Sequence, residues 1–221
     1  MTEIRDGDAY AITLPDDARP CLVYPAGLMD ASHCPPGTKA LAAAPVINPD
    51  SRVLALGSVS AGDAVGTVIV TATQLADNAE PGDLHEFAHG LADGLVKSRS
   101  GAKLHAEPQV QSLTMDGVHV ARIAFDIDGL SDRGTDHAIA YASWSKTNDY
   151  TFTFLTAPAH AAAIDALADR TATSVQEAQP APGNQARLGH RVARIGVEVV
   201  GALLVPVVVW TLVARARRKR A

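Results

Sequence analysis

The chain of 221 residues is short of most residue types that announce a chemistry. It has two cysteines, so the paired CxxC motifs of a structural zinc module are absent, as is a dense disulfide framework. Aromatic residues make up 5% of it. Basic residues are scarce over residues 1–186, where 11 Lys and Arg face 23 Asp and Glu, a net of −12. Nucleic-acid binding is dominated by neutralising phosphates, so a stretch this acidic is a poor partner for DNA or RNA. There is no internal repeat and no G-x-S-x-G turn to expose a nucleophilic serine. Gly-Ser-Val-Ser-Ala-Gly at 57–62 lacks the lysine and following helix of a phosphate loop and reads as a turn. The first residues, MTEIRDGDAYAITLP, hold no basic segment followed by an apolar core, so no signal peptide is expected.

Long apolar runs are absent too, with one exception. Residues 195–213 read IGVEVVGALLVPVVVWTLV, and Arg215, Arg217, Arg218, Lys219 and Arg220 follow at once. A helix needs about 20 apolar residues to cross the roughly 30 Å hydrocarbon core, so this stretch is expected to span a membrane once. Glu198, its one ionisable residue, reads as an interfacial carboxylate paired with Arg194. The sharper alternative is a polar contact to a partner helix, with Gly201 and Ala202 allowing close approach. Pro206 is tolerated inside a span, and Trp210 suits an interfacial anchor. The basic tail suits anionic lipid headgroups at about 1 kcal/mol per charge. The positive-inside rule keeps that end cytoplasmic and the rest outside, although Arg187, Arg191 and Arg194 flank the other end and leave both orientations open.

Four regions follow: a globular domain at 1–172, a polar linker at 173–194 centred on Pro-Ala-Pro-Gly, a membrane helix at 195–214 and a basic tail at 215–221. Cys21 and Cys34 bracket a loop rich in Pro and Gly and are a candidate disulfide, worth roughly 3 kcal/mol in the chain-entropy model. Two reduced thiols are equally compatible with the spacing. Strands are predicted at Tyr10–Leu14, Val53–Val59, Val65–Thr71, Gln109–Met115, Val118–Ile127, His137–Ser145 and Tyr150–Leu155. Asp116-Gly117 is a two-residue hairpin turn of the primed type, and a second hairpin turns through 146–149. In Val118–Ile127, Ala121, Ile123, Phe125 and Ile127 share one face, while Arg122 and Asp126 lie opposite His119. Leu84, Phe87, Leu91 and Leu95 form one helical stripe over 83–97, with Pro81 and Asp83 at its start. Ile164, Leu167, Ala168, Thr171 and Val175 form another over 157–175, with Pro158 in its first turn. Strands, helix, four antiparallel strands and helix make an α+β fold: an antiparallel sheet with packed helices.

That layout resembles the PsbP-like α/β/α sandwich superfamily, which includes the actinobacterial LpqN-type lipoproteins. The resemblance is carried by LHEFAHGLADGLVK after VGTVIVTA, by GVHVARIAFDID, and by AYASW and YTFTFLTA leading into the last helix. It implies a non-enzymatic accessory, chaperone-like or cargo-binding role in a bacterial envelope, with no family binding residues to carry over. The chain departs from the lipoproteins in its C-terminal anchor and its Cys21–Cys34 loop.

The most specific local motif is His85-Glu86-Phe87-Ala88-His89, a literal HExxH. On a helix, i and i+4 bring two imidazoles to one face, where they can share Zn²⁺ while the glutamate activates a water. The alternative function is thus a zinc-dependent hydrolase with Glu86 catalytic and His85, His89 and a downstream Glu107 or His105 as ligands. Against it, the metzincin continuation would need Gly and His where Ala92 and Leu95 stand, and both histidines lie off the apolar stripe, on a flank where solvated residues are common. Ser143, Ser145, His137 and Asp136 supply the residue types of a hydrolase triad without its elbow. Trp144, Tyr141, Phe152 and Phe154 fill or edge the sheet, or else line a binding groove over an exposed sheet face. The sequence as a whole points to a membrane-anchored domain without a cofactor, whose partners are membrane lipid and a protein or apolar ligand.

Overall fold

The protein is described by a computed structural model covering residues 2–23, 27–28, 46–48, 51–74, 83–97, 100–131, 134–145 and 148–177. The expected membrane helix with Glu198, Pro206, Trp210, Arg215, Arg217, Arg218, Lys219 and Arg220 lies outside the described residues, as does Cys34. Among the described residues no helix is long and apolar enough to cross a membrane.

The strands are β1 (Thr2–Asp6), β2 (Tyr10–Leu14), β3 (Ala18–Val23), β4 (Gly27–Leu28), β5 (Val46–Asn48), β6 (Ser51–Ala61), β7 (Ala64–Gln74), β8 (Lys103–Leu104), β9 (Gln109–Met115), β10 (Val118–Asp128), β11 (Thr135–Trp144), β12 (Asn148–Thr156) and β13 (Gln176–Glu177). The helices are α1 (Leu84–Lys97) and α2 (Ala161–Ala172), the latter preceded by a 3-10 turn at Pro158–His160. The main sheet runs β4-β3-β6-β7-β12-β11-β10-β8, with β5 beside β6 and β9 beside β10; β1, β2 and β13 form a second, smaller sheet. Every pairing is antiparallel. The folded chain thus runs on past residue 172 to a strand that pairs with β2.

Each helix sits where its stripe requires. Phe87, Leu91 and Leu95 of α1 are buried against Ala121, Ile123, Phe125 and Ile127 of β10 and Ala138, Ala140 and Ala142 of β11. The alanines keep that face low, which lets a helix approach, and Phe87 meets Trp144 edge to face at 5.4 Å. Asp83 caps α1, accepting the backbone N–H groups of His85 at 2.8 Å and Glu86 at 3.2 Å. On the opposite face Ile164, Leu167 and Ala168 of α2 pack with Ile4, Ile12 and Leu14 of the small sheet and Tyr141, Phe152 and Phe154 of the main sheet. The result is a three-layer sandwich with the main sheet in the middle.

The β9–β10 turn has the expected form: Asp116 and Gly117 take φ of 49° and 85°, and Met115 pairs directly with Val118. Three expectations are corrected. The second hairpin is tighter than 146–149, because Asn148 and Asp149 belong to β12: the Asn148 N–H donates to Ser145 Oγ at 3.0 Å, and Trp144 pairs with Asp149. The last helix is shorter than 157–175, since a 3-10 turn occupies 158–160 and α2 ends at Ala172. The four aromatics do not line an exposed sheet face: all nine residues of β12 are buried, and Tyr141, Trp144, Phe152 and Phe154 are core. A central strand covered by a layer on each side has no outward face for a ligand to stack on.

Candidate functional site

The described polar chemistry concentrates under α2. On β10, Arg122 and Asp126 point away from α1; on β11, the paired residues Tyr141 and His137 point the same way. Helix α2 sets Asp165 and Asp169, one turn apart, over this row. His137 Nδ1 lies 2.6 Å from Asp126 Oδ1, and its Nε2 lies 3.0 Å from Asp165 Oδ1. Arg122 reaches the other Asp165 oxygen at 3.5 Å and, through Nε, Asp169 at 3.0 Å. The Tyr141 hydroxyl donates a short hydrogen bond to Asp169. The six side chains make a continuous ladder from sheet to helix.

The electrostatics follow from that geometry. The hydrogen bond to Asp165 raises the His137 pKa above its ordinary value; burial opposes this, and Asp126 adds to the rise. With a carboxylate at each nitrogen the imidazolium has both N–H groups satisfied, whereas the neutral ring presents a lone pair to one carboxylate. Burial holds the Tyr141 hydroxyl protonated, and the Asp169 carboxylate reinforces it. The ladder contains no serine, threonine or cysteine. Ser143, on the same face of β11, stands six residues from His137, about 20 Å along a strand, and Asp136 points to the opposite face; no triad forms.

On α1, His85 is exposed, while Glu86 and His89 are half-buried. His89 Nε2 lies 2.6 Å from Glu107 Oε2, so two of the expected zinc ligands are in contact. His105 turns elsewhere, with Nδ1 3.1–3.2 Å from the Asp128 carboxylate, which also accepts from Thr135 at 2.8 Å. Among the described residues no three His, Cys, Asp or Glu side chains come together as a metal-ligand set. A catalytic zinc needs three protein ligands and an open position, and His89 and Glu107 are two candidate ligands in contact.

Two groups escape the sequence reading. Asp149 is a fully buried carboxyl beside Thr73, its neighbour on β7; burial pushes its pKa up to about 7, with the Thr73 hydrogen bonds pulling the other way. Asp6 joins the small sheet to the main one, accepting a short bond from Arg52 and one from the Tyr150 hydroxyl at 2.9 Å. Tyr150 stacks on Tyr10 at 4.0 Å. Cys21 is buried in β3, and Cys34, the other half of the candidate disulfide, lies outside the described residues.

Comparison with solved structures places this architecture. The chain is similar to cyanobacterial PsbP (CyanoP) from Synechocystis sp. PCC 6803, with a TM-score of 0.52 at 15% identity, over 80% of this chain and 91% of that one. The fold is PsbP-like. A lesser similarity is to LpqN of Mycobacterium tuberculosis, described as involved in cell envelope biogenesis, with a TM-score of 0.46 at 11% identity over 79% of this chain and 88% of that one. No protein-family model matches the sequence, and no curated protein does.

Proposed function

We propose that the chain is a single-pass membrane protein that displays its acidic PsbP-like domain on a polar tether. It acts as a non-enzymatic accessory module, holding a protein or apolar ligand at the membrane surface. The observation that carries this reading is the division of the chain: a net of −12 over residues 1–186, then an apolar run at 195–213 followed directly by five basic residues. The fold supports it, because the strongest acid–base assembly, Asp126–His137–Asp165–Arg122–Asp169–Tyr141, ties a helix to a sheet. In an acid–base catalyst a titratable group is left within reach of a substrate proton; here His137 has both nitrogens engaged. Orientation follows the basic end, with the domain on the extracytoplasmic side. A second reading, a zinc-dependent hydrolase on His85, Glu86 and His89, retains one observation in its favour, the His89–Glu107 contact.

The test is extraction of membranes with alkaline carbonate. The full chain is expected to stay in the pellet and a chain ending at residue 186 to be released. Release of the full chain would overturn the tether.

A further inference from the structure

The sheet has two unlike edges. At one, β4 is two residues long, and its neighbour β3 carries Pro20 and a register shift between Pro20 and Leu22. A short strand, a proline and a bulge all hinder pairing with another chain. At the other edge stands β9, Gln-Val-Gln-Ser-Leu-Thr-Met, without a charged residue or a proline. It pairs with β10 in unbroken register from Gln109 to Met115. Among the described residues no strand pairs with its outer side. Gln109, Gln111, Ser112 and Thr114 are exposed, and Val110, Leu113 and Met115 are half-buried. Folded proteins normally blunt such an edge, because its open N–H and C=O groups are a template for a further strand.

The charge around β9 selects the occupant. Glu107 precedes it and Asp116 follows it, on a domain with a net of −12 over residues 1–186. A second copy paired antiparallel about Ser112 would bring the acidic end of each β9 against the acidic end of the other, and like charges placed opposite one another destabilise. A foreign strand with Lys or Arg at both ends meets Glu107 and Asp116 favourably. Leu113 and Met115 lie on one face of β9 and Ser112 and Thr114 on the other, so the added strand alternates apolar and small polar residues to match.

We infer that β9 is a strand-addition site that takes an extended, basic-ended segment of a partner protein into the sheet. This names the contact surface of the accessory module proposed above and rests on that reading for the existence of a protein partner. The membrane tether is tested separately by carbonate extraction, so the two can fail independently.

The probe is a labelled nine-residue peptide of alternating valine and threonine with lysine at both ends; its twin has glutamate at both ends. Each is titrated into the full chain in detergent, read by fluorescence anisotropy, with amide hydrogen exchange over residues 109–115. The lysine-ended peptide is expected to bind, more weakly as salt rises, and to slow exchange in β9. Ser112→Lys, a charge on the exposed edge, is expected to weaken it about five- to tenfold. Val65→Lys adds the same charge at a residue 56% exposed on β7 and is expected to leave binding unchanged. Thermal melting of both variants checks their folding, and Thr114→Lys repeats the test should Ser112→Lys melt early. Three results overturn the inference: no binding, equal binding of the glutamate-ended twin, or binding without β9 protection. Protection of β9 that grows with protein concentration and needs no peptide would assign the edge to a second copy instead.

Discussion

Helices α1 and α2 cover opposite faces of one sheet and are held there by different means. Helix α1 relies on shape: Phe87, Leu91 and Leu95 sit on an alanine-lined surface, and its histidines stay on the flank. Helix α2 has an apolar stripe as well, but it also lays two carboxylates across a histidine, an arginine and a tyrosine of the sheet. The contrast teaches where titration matters. The side chains that α1 packs on are apolar, with Asp136 and Asp149 buried on the same face of the sheet, whereas the ladder under α2 depends on the charge of His137. The histidine motif that stands out in the sequence lies on α1; His137 lies between two carboxylates under α2.

The largest expected effect sharpens the apolar side of that contrast. Leu95→Ala removes a side chain with no exposed surface from under α1 and is expected to cost about 2–5 kcal/mol in urea unfolding, by nearly the same amount at every pH. The next concerns the sheet between the helices. The Asp149 pKa is raised to about 7, so folding favours its protonated form. Its contribution is fully present below the ordinary carboxyl value of about 4 and is lost as pH rises towards 7. A shift of that size corresponds to at most about 4 kcal/mol. Asp149→Asn is expected to flatten this slope in unfolding titrations; an unchanged slope would contradict the assignment.

A smaller, later loss belongs to α2. The raised pKa of His137 makes its contribution fully present below about pH 6.5 and lost as pH rises through the raised value. His137→Gln is expected to remove about 1–2 kcal/mol at pH 6 and little at pH 9, whereas Leu95→Ala costs the same at both. Equal losses at the two pH values in His137→Gln would erase the difference between the helices.

The sequence makes some of this legible and hides the rest for identifiable reasons. Both helical stripes are readable because a single periodic face fixes a helix's orientation, and Asp116-Gly117 is readable because few residues tolerate φ > 0 at both turn positions. Strand β1 passes unnoticed because Ile4 is the one apolar residue in Thr-Glu-Ile-Arg-Asp, and β3 because Pro20 demotes it. Asp149 reads as turn chemistry, since Asn-Asp normally marks a loop. The ladder needs the β10–β11 register and the position of α2, which lie beyond local pattern. Its traces are there, though: Arg122 and Asp126 share a face opposite His119, and Asp165 and Asp169 stand one helical turn apart.

The measurement that tests the account most directly is the metal content of the purified full chain, by elemental analysis, for the wild type and for His85→Ala/His89→Ala. With α1 as a packing helix and the domain as a binding module, neither protein is expected to carry stoichiometric zinc, and both are expected to melt alike. About one zinc per chain in the wild type, lost in the variant, would contradict that account and make α1 the centre of a hydrolase.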